Sequence, residues 1–240
     1  MSKREVRNNM LWLKIQQIYH NTKGRYGSPR ITKELNMQGI KVSETLVAKL
    51  MRQHGVRSIV KRRYKVTTDS AHKYPVVKNI LNREFTVEKE NTVIDLLDRK
   101  VIGWAMRETM KSKNTTLAAF KMAKLHRPIQ LHQKLIFHSD RGIQYACDEF
   151  VSELNQHKNI RRSMSRKGNC WDNAVAESFF KTLKTELVYH HTYETKQQAQ
   201  LSIFQYIETF YNTTRRHSQL NNLTILEYQQ LINNNLKHVA

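Results

Sequence analysis

Two carboxylates in this chain of 240 residues sit where chemistry could be done. The first is Asp140. Lys134-Leu135-Ile136-Phe137-His138 reads as a short apolar strand, and Ser139-Asp140-Arg141-Gly142 ends it. A carboxylate just past a buried strand is held rigidly while its oxygens reach a cleft, which suits a metal ligand. The second is Glu177, on a helix expected from Asn173 to about Leu187 with Val175, Phe179 and Leu183 as its core stripe. Glu177, Lys181 and Lys184 fall at i, i+4 and i+7 on another face. One acid beside two cations suggests a metal ligand next to a phosphate track. An ordinary surface ion pair explains the same pattern, and for Glu177 alone it is the better explanation. The loop Ser165-Arg166-Lys167-Gly168-Asn169-Cys170-Trp171-Asp172 adds Arg166 and Lys167 as candidate phosphate contacts. His138, His190, His191 and His217 form no paired set with cysteine, so a zinc site is not expected. His138 fits either a place beside a metal or a packed strand position.

The elements that must hold these groups are legible in outline. Thr92–Leu97 and Val101–Met106 read as a hairpin turning at Asp98-Arg99-Lys100. A helix is expected over Thr115–Leu125, another over Asp148–His157, and a short strand over Ile160–Met164. After Glu194 the spacing of Leu201, Phe204, Ile207 and Phe210-Tyr211 predicts one helix up to Asn212. A last helix is expected over Ile225–Leu236, and Arg215-Arg216-His217 is expected to be exposed, touching DNA or capping the preceding helix.

The N-terminal third is different. Residues 1–84 hold 19 Lys+Arg against 5 Asp+Glu, and residues 85–240 hold 22 against 15. The formal charge of +21 is therefore concentrated at one end, and a polyanion, most commonly nucleic acid, is the natural partner. A helix is expected over Arg7–Asn21. Ser28-Pro29 reads as a cap and first turn of a second helix with Ile31 and Leu35 buried. Ser43 caps a third, with Leu46, Val47, Leu50 and Met51 apolar. This is a helix-turn-helix pattern whose third helix would offer Glu44, Thr45, Lys49, Arg52 and Gln53 to a groove. A structural three-helix bundle fits the periodicity equally, and the surrounding charge favours DNA. Lys61-Arg62-Arg63-Tyr64-Lys65 then lies in an extended stretch that could follow a phosphate backbone or act as a tether. The chain is long enough, and at 39% hydrophobic apolar enough, to bury a core. No run approaches 18 apolar residues, so no transmembrane helix is expected, and the charged start is unlike a signal peptide. With only Cys147 and Cys170, a disulfide framework is excluded and a reducing cytoplasm fits.

Longer motifs carry a resemblance. His138-Ser139-Asp140-Arg141-Gly142-Ile143-Gln144-Tyr145, Ser163 to Ala174, and Glu177-Ser178-Phe179-Phe180-Lys181-Thr182-Leu183-Lys184 are similar to the second-frame product of insertion sequence three family transposases. Arg25-Tyr26-Gly27-Ser28-Pro29-Arg30-Ile31 resembles the start of that family's helix-turn-helix. Tyr211-Asn212 with Arg215-Arg216-His217-Ser218 and Leu220 resembles its C-terminal signature. The resemblance spans nearly the whole chain.

It implies an α/β fold: a ribonuclease-H-like integrase core with a mixed sheet, preceded by an all-α helix-turn-helix domain. The expected division is residues 1–56 for helix-turn-helix, 57–84 for a basic linker, 85–190 for the core and 191–240 for a helical C-terminal segment. It implies three carboxylates and two divalent ions, Mg²⁺ by preference, for DNA cleavage and strand transfer. Asp140 takes the place of the second carboxylate and Glu177 of the third. Implied partners are insertion-sequence ends and target DNA, a first-frame product or fusion with it, and further copies of the chain. The implied location is the bacterial cytoplasm, at the nucleoid. Arg25, Arg30, Lys49, Arg52, Lys61, Arg62, Arg63, Arg166, Lys167, Lys181 and Lys184 are the expected DNA contacts.

One departure matters. In the family the first carboxylate lies in a segment of the type Trp-x-x-Asp-Ile-Thr-Tyr-Ile, and a hairpin follows. Here Glu88-Lys89-Glu90-Asn91-Thr92-Val93 runs straight into Ile94-Asp95-Leu96. The resemblance therefore implies an internal deletion that removes the first-carboxylate strand, a central one, and leaves the sheet with a gap or unpaired groups. Asp95 could stand in only if its strand slid into the vacant slot with the right face forward. Two readings follow: a transposase impaired by the loss, or a catalytically inactive remnant that only binds DNA. A basic DNA-binding protein of another kind leaves the two carboxylate motifs unexplained.

Overall fold

The structure, a computed structural model, describes residues 2–60, 93–106, 113–130, 134–166 and 170–237. The described chain is a mixed helix and strand protein that falls into two compact units.

The first unit gathers residues 2–60 with Thr182–Thr192 and Arg216–Leu223. It is therefore discontinuous in sequence. Helix α1 spans Lys3–Asn21 and starts at a capping box in which Ser2 and Glu5 satisfy each other's backbone N–H. Helix α2 spans Ser28–Met37. Its N-cap is Gly27, so Ser28 is already helical and the helix starts one residue earlier than the Ser-Pro pattern suggests. Pro29 still falls in the first turn, where a missing N–H costs nothing. Helix α3 spans Glu44–Gln53, with Ser43 accepting from the Leu46 N–H. The three helices pack on one another around Leu11, Ile15, Ile18, Ile31, Leu35, Val47, Leu50 and Met51. This is the helix-turn-helix arrangement that the apolar spacing implied.

The second unit holds the remaining described residues. Helix α4 spans Lys113–His126, strand β1 Leu135–Ser139, helix α5 Ile143–Ala146, helix α6 Asp148–Asn155 and strand β2 Ile160–Met164. β1 and β2 pair in parallel, with Leu135 opposite Ile160 and Ser139 opposite Met164. Parallel neighbours need a crossover, and α5 and α6 supply it. Phe120, Phe137, Cys147, Phe150 and Leu154 form the core beneath, with aromatic rings mostly edge to face. An apolar hollow lined by Val93, Ile102, Phe120, Leu135, Phe137 and Ile160 lies beside the two strands.

The expected hairpin over 92–106 is reduced, within the described residues, to one antiparallel bridge between Ile94 and Val101. The reason is local. The Asp95 carboxylate accepts from the Leu97 N–H at 2.8 Å and the Asp98 carboxylate from the Lys100 N–H at 2.9 Å. These side-chain turns take the donors that a ladder needs. Arg99 lies inside the second of these turns at φ 65°.

A 3₁₀ turn at Cys170–Asn173 leads into helix α7, Ala174–Glu186. Helix α8 spans Lys196–Gln205 and passes into a π-helix at Tyr206–Tyr211, where sequence periodicity predicts one uninterrupted α-helix. The wider turn buries Tyr206, Ile207, Phe210 and Tyr211 together. Helix α9 spans Ile225–Lys237. Thr224 and Glu227 cap it reciprocally, at 2.8 and 3.1 Å.

Candidate active site and nucleic-acid interface

Asp140 follows β1 directly, as the strand pattern suggests. One carboxylate oxygen accepts from the Gly142 N–H at 2.9 Å, which fixes the turn and leaves the second oxygen for other work. The Ser165 N–H donates to the Ser139 carbonyl at 2.9 Å, carrying the ladder one residue further. Arg141 then donates from Nε to the Ser165 carbonyl at 2.8 Å. The strand end that presents Asp140 is thus tied on both sides. His138 is a packed strand histidine, with Nδ1 2.8 Å from Ser163 Oγ and Nε2 3.2 Å from Ser165 Oγ. Burial lowers its pKa below the ordinary value, against weaker opposing pulls from Asp172 and then Asp140. Tyr145 is pushed up to about 12, first by desolvation and then by the negative charge of Asp140.

Glu177 lies in the first turn of α7 and is exposed. Asp95 is fully buried. Its carboxylate is ion-paired with Arg127 at the end of α4, and the second guanidinium nitrogen of Arg127 reaches Asp98 at 2.5 Å. Asp95 is thereby committed to a buried ion pair. Among the described residues no three His, Cys, Asp or Glu side chains come together in a way that could hold a metal ion. The three-carboxylate set implied by the resemblance is not assembled among the described residues.

The expected DNA contacts divide into three groups. Lys49 and Arg52 are exposed on α3, alongside Glu44, Thr45 and Gln53. Lys181 is exposed and Lys184 half-buried on α7. Arg25 and Arg30 turn inward instead. Arg25 is 7% exposed and donates from Nε to the Glu186 carbonyl at 3.1 Å, while Arg30 pairs with the Glu186 carboxylate at 3.0 Å. Arg166 is exposed, but Asp172 accepts from its backbone N–H and from Nε at 2.9 Å and from Nη2 at 2.8 Å. Lys61, Arg62, Arg63 and Lys167 lie outside the described residues. The Arg215-Arg216-His217 group, expected at the surface, is buried: each residue is under 7% exposed.

Sequence reasoning missed Asp172, Glu186 and Glu34, the acids that hold these arginines. Asp172 carried a signal, since an acid six residues after Arg166 across a Gly-containing loop can close that loop. Glu186 and Glu34 carried none, because their partners lie about 150 residues or more away.

Comparison with known proteins agrees with this arrangement. A family model described as an HTH-like domain matches residues 5–64, and two described as integrase core domain match residues 89–170 and 158–224. The chain is 36% identical over 240 residues to a transposase for insertion sequence element IS904 of Lactococcus lactis, covering 91% of this chain and 93% of that one. It is 34% identical over 231 residues to the transposase InsF for insertion sequence IS3A of Escherichia coli, covering 88% and 79%. An uncharacterized 31 kDa protein of insertion element IS600 from Shigella sonnei is 33% identical over 249 residues, covering 95% and 90%. That last alignment is longer than this chain, so some of its positions have no counterpart here. No solved structure matches. The chain belongs to the transposases of IS3-type insertion elements.

Proposed function

We propose that this chain is an impaired transposase: it binds DNA through its helix-turn-helix and basic surfaces, and its integrase core lacks the full carboxylate set for cutting and joining strands. The burial of Asp95 against Arg127 carries this reading. It removes the acid nearest the deleted segment as a substitute for the first carboxylate. Asp140 and Glu177 are the surviving pair in this reading, and a two-Mg²⁺ site would be incomplete. The exposed Lys49 and Arg52, with Lys181, are the proposed phosphate contacts. The partners proposed are element-end and target DNA, a first-frame product and further copies of the chain, in the bacterial cytoplasm.

The test is incubation of the full chain with a duplex carrying element ends and Mg²⁺ or Mn²⁺. Binding that weakens steeply with salt, without strand cutting, is expected. Metal-dependent cutting by the parent chain that disappears in Asp140→Asn would overturn the impairment. Affinity indifferent to salt would overturn the binding.

A further inference from the structure

Two arginine motifs from opposite ends of the sequence meet inside the first unit. Arg25, Tyr26 and Arg30 belong to the segment that opens the helix-turn-helix, and Arg216 to the C-terminal signature. Tyr26 is 1% exposed, and its hydroxyl accepts from the Arg216 N–H at 2.8 Å. The Arg216 guanidinium donates from Nε to Glu34 at 2.5 Å and from Nη1 to the Asn222 carbonyl at 3.1 Å. Arg30 lies 5.4 Å from the centre of the Tyr26 ring while it pairs with Glu186. Arg25 holds the backbone at the same Glu186. Arg30 and Glu34 are four apart on α2, so both acid–base contacts grip one helix. α2 in turn packs on α3.

We propose that Arg25, Tyr26, Arg30, Glu34, Glu186 and Arg216 form a clamp that completes the DNA-reading unit and positions α3 through α2, so that these arginines are positioning residues and not DNA contacts. Arg25 and Arg216 are 7% and 4% exposed, which leaves no room for a phosphate beside them. Each guanidinium already has a protein acceptor, and removing it from that acceptor would strand a buried group. The helix-turn-helix of this chain is therefore built from three stretches of sequence. Cutting it at the end of the first removes its supports.

The inference rests on the DNA-binding reading only for the second of two measurements. The first is hydrogen exchange on the full chain. Arg216→Ala and the milder Glu186→Gln each lower protection across 28–37 and 216–223 together, by about tenfold or more, and Arg216→Lys recovers part of it. Loss of protection at the substituted segment alone would overturn the clamp. The second is the salt dependence of binding to a mixed-sequence duplex. Lys49→Ala or Arg52→Ala reduces the slope of log affinity against log salt by about 0.9 for each phosphate that is no longer neutralised. Arg30→Ala and Arg216→Ala leave the slope unchanged and weaken binding at every salt concentration. A slope reduced by about 0.9 in either of these two would make that arginine a phosphate contact and refute the proposal. A parent chain that shows no salt-dependent binding refutes the DNA reading, and the exchange result still decides the clamp.

Discussion

Replacing Arg127 by methionine removes the cation ion-paired with two buried carboxylates and leaves only the more distant charge of Arg99 acting on them. Asp95 has 0% and Asp98 2% of its side chain exposed, and one guanidinium serves both. Removing one partner from a buried ion pair costs about 3–5 kcal/mol, because the charge that stays is neither hydrated nor paired. The remaining hydrogen bonds set where in that range the cost falls. Asp95 keeps the Leu97 N–H, and Asp98 keeps the Lys100 N–H and Gln229 Nε2 at 2.5 Å. Those donors hold the loss near the lower end, about 3 kcal/mol. Urea unfolding followed by tryptophan fluorescence reads it, since Trp104 belongs to the same unit. With a slope of about 2 kcal/mol per molar urea, the midpoint falls by about 1.5 M. Combining Arg127→Met with Asp95→Asn and Asp98→Asn removes the stranded charge and restores most of the loss. A single Arg127→Met midpoint within about 0.2 M of the parent would refute the buried pair and reopen Asp95 as an available acid.

Three further perturbations test other parts of the second unit. Gly103→Ala drives a methyl group into the Ala119 carbonyl oxygen and to 2.8 Å from the Ala123 nitrogen, and should destabilise by about 1–3 kcal/mol in the same assay. Unchanged stability would mean α4 does not press on this glycine. Asn212 donates to the Val101 carbonyl and accepts from the Val101 N–H, both at 3.0 Å, so Asn212→Leu should cost about 1–3 kcal/mol for each group it leaves unpaired. Urea midpoints equal to the parent's would show that those two groups find water instead. Tyr145 holds its proton more tightly folded than unfolded, with a pKa of about 12 against an ordinary 10.0. Stability should therefore fall as pH rises from 10 towards 12, and Tyr145→Phe should flatten that decline. An identical alkaline slope in the variant would contradict the assignment.

Local signals in the sequence were translated faithfully into structure. Ser43 caps α3, Ile160–Met164 is a strand, and Asp140 follows β1 because turn and cap chemistry is decided within a few residues. The hairpin over 92–106 misled, since alternation of apolar residues does not reveal that Asp95 and Asp98 spend their carboxylates on nearby amides. The direction of Arg25 and Arg30 was equally hidden. A basic residue beside a helix-turn-helix looks like a DNA contact until its acid is found, and Glu186 lies 161 residues after Arg25. The π-helix at Tyr206–Tyr211 left no mark in the 3.6-residue spacing, because its cause is the burial of four large side chains at one place.

Because the first unit gathers Arg216–Leu223 with its three helices, it is not complete until residue 223 has been synthesised. At about 5–20 residues per second, the 163 residues from 60 to 223 take about 8–33 s to synthesise. For that interval the nascent chain carries a basic three-helix segment whose inward-facing arginines have not yet met Glu186, and whose Glu34 awaits Arg216. Translation order thus places the meeting of these arginines with their acids well after the three helices themselves have been made.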